Sequence, residues 1–231
     1  GIRPVSDTGS DTGLIPVDIQ KYGTEYLMTH RLRIQNAGVL FHVINRGNGR
    51  QTIFRDEEDF EYYQRLLWRY KQKFTLQIYH FILMSNHIHL LLETTKANTI
   101  SGFMKGLTVA YTRYFNKKYQ CVGHAWQGRF QSIPIETVSY YLRCARYIEL
   151  NPLRAGIVSH PKEYPWSSYL FFTGEKSCIW LDTHQVLKEF SGYSYKYFVE
   201  SDIPKPLVHQ SECFSSLPVY GDENFVRTFE I

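Results

Sequence analysis

The sequence predicts an α+β fold, an antiparallel sheet with helices packed on it. Short runs rich in β-branched and aromatic residues (VLFHVINR, LQIYHFILM, HIHLLLE) alternate with longer stretches whose apolar residues recur every three or four positions. Two of the strand-like runs are separated only by Ser85-Asn86, which is too short for a crossover helix and makes the pair an antiparallel hairpin. The resulting order of strand, helix, two strands, helix, strand and helix is that of an α+β layer.

In chain order, residues 1–30 show no sustained period and no apolar segment behind a basic start. They read as a flexible arm or added residues, with Met28 a natural start. VLFHVINR over 39–46 is a strand ended by the turn-forming GNGR. DEEDFEYYQRLLWRYKQKF has acids in its first turn, Lys and Arg in its last, and Phe60, Tyr63, Leu67 and Tyr70 at helical spacing. The hairpin follows, then a helix over 99–119 and a short strand in RFQSIPIE. TVSYYLRCARYIEL is a third helix, stopped by Asn151-Pro152. Beyond about residue 160 an appended region contains EYPWSSYLFF, with Trp166 given to the core, and a helix-like segment near THQVLKEF. The division is thus arm 1–30, main domain 31–170, and C-terminal extension and tail 171–231.

A chain of 231 residues holds one core of about 150 residues and an appendage. Its 43% hydrophobic and 21% charged content is ordinary for a globular protein, and no apolar run reaches the roughly 18–20 residues of a membrane span. Cys121, Cys144, Cys178 and Cys213 are widely spaced and form no CxxC pair, so reduced thiols in a cytoplasm are expected. The net charge of +4 is weak support for a polyanionic partner; its distribution says more. From 103 to 129, Lys105, Arg113, Lys117, Lys118 and Arg129 stand among Tyr, Phe and Trp rings with no acid between them. Cations for phosphates and rings for bases are what single-stranded nucleic acid binding uses. A helix with a solvated basic face and an aromatic core face has the same composition.

In LMSNHIHLLLE, side chains alternate faces with period two, so His87 and His89 share one face while Ile88, Leu90 and Leu92 take the other. Two parallel imidazoles can offer nitrogens to one cation. They can equally be two partly buried histidines satisfied by backbone or carboxylates. At 100° per residue, the third helix puts Val138, Tyr141, Leu142, Ala145 and Ile148 on an apolar face. Tyr140, Arg143, Tyr147 and Asn151 lie roughly opposite. Tyr147 and Asn151, four apart, could reach one ion or phosphate, and Arg143 could favour the phenolate. A hydroxyl nucleophile with a divalent cation and no nucleotide-binding glycine loop points to phosphoryl transfer on DNA.

The stretches FHVINRGNGRQTIF, YHFILMSNHIHLLLE, MKGLTVAYTRYFNKKY, GHAWQGRFQS, YLRCARYIELNPLRAGIV and YPWSSY, spanning about residues 32–170, resemble the REP-associated tyrosine transposases of the HUH single-tyrosine superfamily. The resemblance implies a ferredoxin-like sheet, the HUH nuclease core, with a helical C-terminal extension. It implies His87, His89 and Asn151 as metal ligands and Tyr147 as nucleophile; the wider superfamily often has glutamine where Asn151 stands. It further implies Mg²⁺ or Mn²⁺ as cofactor, and cleavage of single-stranded DNA beside repetitive extragenic palindrome hairpins through a 5'-phosphotyrosine. The implied setting is a bacterial cytoplasm at the nucleoid. The implied assembly is a monomer or weak dimer, with the tyrosine in cis or in trans.

Candidate DNA contacts are Arg46, Asn48 and Arg50 in the RGNGR turn, and Trp126, Gln127 and Arg129 in HAWQGR. Arg113, Lys117 and Lys118 of the basic segment and Arg143 complete the set. Trp126 and its neighbouring glycines equally suit a packed turn. The alternative function is a hairpin-binding regulator whose catalysis is weak or lost.

Overall fold

The computed structural model describes residues 37–201 apart from residues 98, 136 and 189. The arm expected over 1–30, the tail beyond 203 and Cys213 lie outside the described residues. In chain order the elements are β1 (Val39–Arg46), α1 (Glu57–Phe74), β2 (Leu76–Met84), β3 (His87–Thr94), α2 (Thr99–Tyr119), β4 (Gln131–Ile135), α3 (Val138–Glu149), α4 (Asn151–Arg154), α5 (Tyr169–Phe172) and α6 (Gly192–Glu200). The sheet order is β2-β3-β1-β4, with every pairing antiparallel. This is the ferredoxin-like α+β arrangement the sequence predicts. Pro134 is tolerated because β4 is an edge strand, paired only to β1.

The two faces of the sheet have different partners. Phe41, Val43, Phe81, Leu83, Ile88, Leu90 and Leu92 pack against α1 and α2. Ile82, Met84 and Leu91 pack against α3, α5 and α6. Register puts His42, His87 and His89 on this second face, since Met84 lies opposite His87, Ile82 opposite His89 and Leu91 opposite His42. Between Ile78 and His80 the β2–β3 register slips, so consecutive residues Tyr79 and His80 both turn toward α3. His80 there hydrogen-bonds to Glu149 at 2.9 Å and to Tyr141 at 3.1 Å.

Helix α1 starts where the sequence places it because Asp56 and Asp59 form a reciprocal capping box. Asp59 is fully buried and accepts from the Arg55 backbone N–H at 2.7 Å, Tyr119 Oη at 2.6 Å, Tyr114 Oη at 3.0 Å and Lys118 Nζ at 2.9 Å. Burial alone would raise its pKa, but the hydrogen bonds from Tyr119, Arg55, Lys118 and Tyr114 outweigh it and hold the carboxyl below its ordinary value. Asp59→Ala should cost about 2–3 kcal/mol of stability in urea unfolding at pH 7, because it removes half of the capping box and the acceptor of the Arg55 N–H and the Tyr114 hydroxyl, while Lys118 keeps Asp56 and Glu58 and Tyr119 keeps Asp56. A lowered folded-state pKa stabilises above the unfolded value near 4 and is lost as pH falls through the folded value. The difference between wild type and variant should therefore shrink below about pH 4.

The C-terminal extension departs from expectation in one respect. THQVLKEF yields only a 3₁₀ turn at Gln185–Leu187, and the helix is GYSYKYFVE, which reads as strand by its aromatic content. Ser191 caps that helix, and Tyr195 and Val199, one turn apart, are buried in the core that holds Tyr141 and Ile148 of α3. Trp166 stacks on Phe60 at 4.7 Å and packs, half-buried, against the core to which the sequence assigns it. No helix among the described residues is long and apolar enough to cross a membrane. Cys121, Cys144 and Cys178 are free thiols.

Candidate active site

Four side chains meet on the α3 face of the sheet. His87 is 8% exposed and His89 is fully buried. The Asn151 Nδ2 lies 3.4 Å from His89 Nε2, and the same side chain hydrogen-bonds to His87. The Tyr147 ring stands edge-on to His89, with centroids 5.6 Å apart.

Pro152 explains how Asn151 reaches the histidines. It has no N–H to give the Ile148 carbonyl, so α3 ends at Glu149 and α4 begins at Asn151 after Leu150, whose φ is −87° and ψ 0°. Asn151 therefore lies on a new turn, not along the α3 stripe with Tyr147 as the helical projection had it. The projected face is buried at Tyr141, Ala145 and Ile148 and half-buried at Leu142, and it departs from expectation at its start and along one flank. Tyr141, Cys144, Ala145, Ile148 and Glu149 are buried, whereas Val138 in the first turn is 54% exposed. Tyr147 follows Cys144 by three residues, about 60° around the helix, so it occupies the flank of the packed face and leans toward the sheet. Arg143 is exposed over Tyr140, at 5.6 Å. The guanidinium over the Tyr147 ring belongs to Arg154, at 5.0 Å.

Burial lowers the pKa of His87 to about 4; the hydrogen bond with the Asn151 side chain opposes this and the charge of Arg46 adds to it. His89 is held well below its ordinary value by burial and by His42 and His87. Both imidazoles are therefore neutral at pH 7 and keep a lone pair for a ligand. His87 Nδ1 lies 2.6 Å from Asn86 Oδ1, and His89 Nδ1 lies 2.9 Å from His42 Nε2. Further along α3, buried Glu149 also accepts from Ser168 Oγ at 2.5 Å and Tyr195 Oη at 3.3 Å. That network ties the helix to the sheet through His80, to the turn before α5 through Ser168, and to the extension through Tyr195.

The RGNGR turn lies at the His87 end of β3, since Arg46 pairs with His87. Gly47 N–H donates to Asn86 O at 2.7 Å, Asn48 N–H to Ala125 O at 2.9 Å, and Arg46 Nε to Gln127 Oε1 at 3.0 Å. A side chain at Gly47 would collide with the Gln51 carbonyl, so this crossing requires glycine. Asn48, Arg50, Gln127 and Arg129 are exposed around it. Arg113 and Lys117 are exposed on α2, whose buried side packs on the other face of the sheet.

Two members of the expected DNA-contact set are engaged elsewhere. Trp126 is 6% exposed and packs 5.8 Å from both Tyr63 and Tyr111, because its bridge to Gly47 draws the ring into the core. It makes the packed turn and offers no face to a base. Lys118 Nζ is held by Asp56 at 2.7 Å, Glu58 at 2.9 Å and Asp59 at 2.9 Å, which neutralises its charge toward phosphate. The sequence reading missed His42, Asn86 and Arg154. His42 lies in phase with Ile44 and Arg46 on β1, a signal that gains meaning only once β1 is known to neighbour β3.

On one face of a ferredoxin-like sheet a phenol, an amide and two imidazoles thus converge beside a basic turn. The model of the family described as transposase IS200-like matches residues 36–151, half of the chain, and the chain belongs to that family. Among solved structures, the fold is similar to that of a REP-associated tyrosine transposase bound to a REP hairpin, at TM-score 0.54 and 16% identity, over 68% of this chain and 99% of that one. A second structure, of a protein from Deinococcus radiodurans described as a transposase, is matched at TM-score 0.38 and 20% identity, over 52% of this chain and 95% of that one. No curated protein matches the chain in sequence.

Proposed function

We propose that this protein is a single-strand DNA endonuclease and strand transferase that cleaves and rejoins DNA beside hairpins of the repetitive extragenic palindrome type, with Tyr147 as nucleophile. The observation that carries the reading is the placement of the Tyr147 ring 5.6 Å from His89, at the imidazoles that Asn151 joins. Its phenol oxygen attacks a backbone phosphorus, the phosphorus–O3' bond breaks, and the 3'-oxygen leaves as a hydroxyl while the phenol proton passes to solvent. One phosphodiester replaces another, so the 3'-hydroxyl can reverse the step without ATP.

The donor set fits a divalent cation, Mg²⁺ or Mn²⁺, held by His87, His89 and Asn151. Both imidazoles are neutral, and the amide can turn its oxygen inward. Among the described residues no three His, Cys, Asp or Glu side chains form a metal-binding group. Two imidazoles and an amide suit a cation whose other ligands are phosphate oxygen and water. Bound there, the cation supplies charge stabilisation to the pentacovalent transition state.

Arg46, Asn48, Arg50, Gln127 and Arg129 surround the His87 end and meet phosphates and unpaired bases; Arg113, Lys117 and Arg143 extend the basic surface. Arg154 lies over the Tyr147 ring, a place from which its charge would face the attacked phosphate. Arg154→Ala should slow adduct formation about 10-fold, a loss of about 1.4 kcal/mol, and change hairpin affinity less than about threefold, with Arg154→Lys intermediate. An unchanged rate would remove Arg154 from the site.

The test incubates the full chain and Mg²⁺ or Mn²⁺ with a labelled hairpin oligonucleotide carrying a single-stranded flank. A covalent protein–DNA adduct supports the proposal. A mobility shift without adduct supports the hairpin-binding regulator.

A further inference from the structure

We infer that His42 is a positioning residue for His89: its Nε2 accepts the His89 Nδ1–H and so leaves the lone pair of His89 Nε2 facing Asn151. Two ring nitrogens 2.9 Å apart need one N–H and one lone pair between them. The other end of His89 assigns which is which. Asn151 Nδ2 is a donor and lies 3.4 Å from His89 Nε2, so that nitrogen carries the lone pair, and a neutral imidazole then has its single proton on Nδ1.

His42 is built to hold that contact. It is 1% exposed in the middle of β1, with ladder partners on both sides, Leu91 and Ile133. Its ring plane lies 23° from that of His89, with centroids 5.1 Å apart. It meets His89 through the Nδ1 end, the end remote from Asn151, so it acts through His89 and is not itself a ligand. An imidazole acceptor also fixes the tautomer without adding a carboxylate charge to a fully buried spot.

The consequence for cation affinity rests on the reading of His87, His89 and Asn151 as a cation site; the tautomer does not. Long-range ¹H–¹⁵N NMR of the metal-free full chain, with His89 assigned by its loss in His89→Gln, should show Nδ1 protonated and Nε2 bare. Mn²⁺ titration followed by EPR should show His42→Phe binding about 10–100-fold more weakly than wild type. His42→Gln, whose amide oxygen can accept the same proton, should stay within about threefold of wild type. A protonated Nε2 on His89 overturns the inference, as does a folded His42→Phe chain with wild-type affinity for Mn²⁺. If His42→Phe does not fold, the wild-type tautomer and the His42→Gln titration decide. Absence of Mn²⁺ binding by the wild-type chain would instead overturn the cation-site reading, while the NMR spectrum would still decide the role of His42.

Discussion

Tyr147→Phe is expected to abolish the covalent adduct, lowering cleavage of a labelled hairpin substrate at least about 1,000-fold, since the nucleophilic oxygen has no substitute. The substitution isolates that oxygen. The ring remains, and with it the edge contacts to His89 and His42 at 5.6 and 6.0 Å and the guanidinium of Arg154 at 5.0 Å. Tyr147 is partly buried on the flank of α3, so loss of its hydroxyl should change unfolding free energy by less than about 1 kcal/mol. Hairpin affinity should be retained, because the proposed phosphate and base contacts lie at the basic turn and not at the phenol. Adduct formation by the Phe variant at the wild-type rate would end the assignment.

His87→Ala should reduce cleavage about 100- to 1,000-fold and weaken Mn²⁺ binding at least about 10-fold, while hairpin affinity stays within about threefold. The separation follows from what each group does. Affinity for DNA comes mainly from cations on phosphates and falls with salt, whereas a neutral imidazole adds no charge to that balance. His87 is the better choice of the two, because it keeps an edge at the surface. His89 is fully buried against His42 and Asn151, so its truncation would leave a cavity and unpaired polar atoms as well. Parallel loss of binding and cleavage in His87→Ala would mean that the pair is structural.

Local chemistry made much of the fold legible. The capping box at Asp56 and Asp59 marks the start of α1, and Ser85-Asn86 closes the hairpin between Met84 and His87. The bounds of α2 fall where helical spacing puts them, Thr99–Tyr119. The α6 helix was not legible, because tyrosines favour strands locally and only burial of Tyr195 and Val199 against α3 favours the helix. Trp126 and Lys118 looked like DNA contacts by type. Each instead has a partner far away in sequence: Tyr63 and Tyr111 for the indole, the acidic cap of α1 for the ammonium.

By itself the sequence determined that His87 and His89 share a face, that Ile88, Leu90 and Leu92 oppose them, and that a tyrosine-bearing helix ends at a proline. These are consequences of period two, period 3.6 and a missing N–H, all of which act within a few residues. Only the tertiary structure decided what stands beside the pair. Sheet order places β1, and so His42, next to His89; the register slip at Ile78/His80 turns His80 toward Glu149; the break at Leu150 carries Asn151 to the histidines and Arg154 over Tyr147. The rotation of α3 on the sheet was settled the same way, by which of its residues found burial. Strand adjacency and helix phase are set by contacts between residues tens of positions apart, which no local pattern encodes.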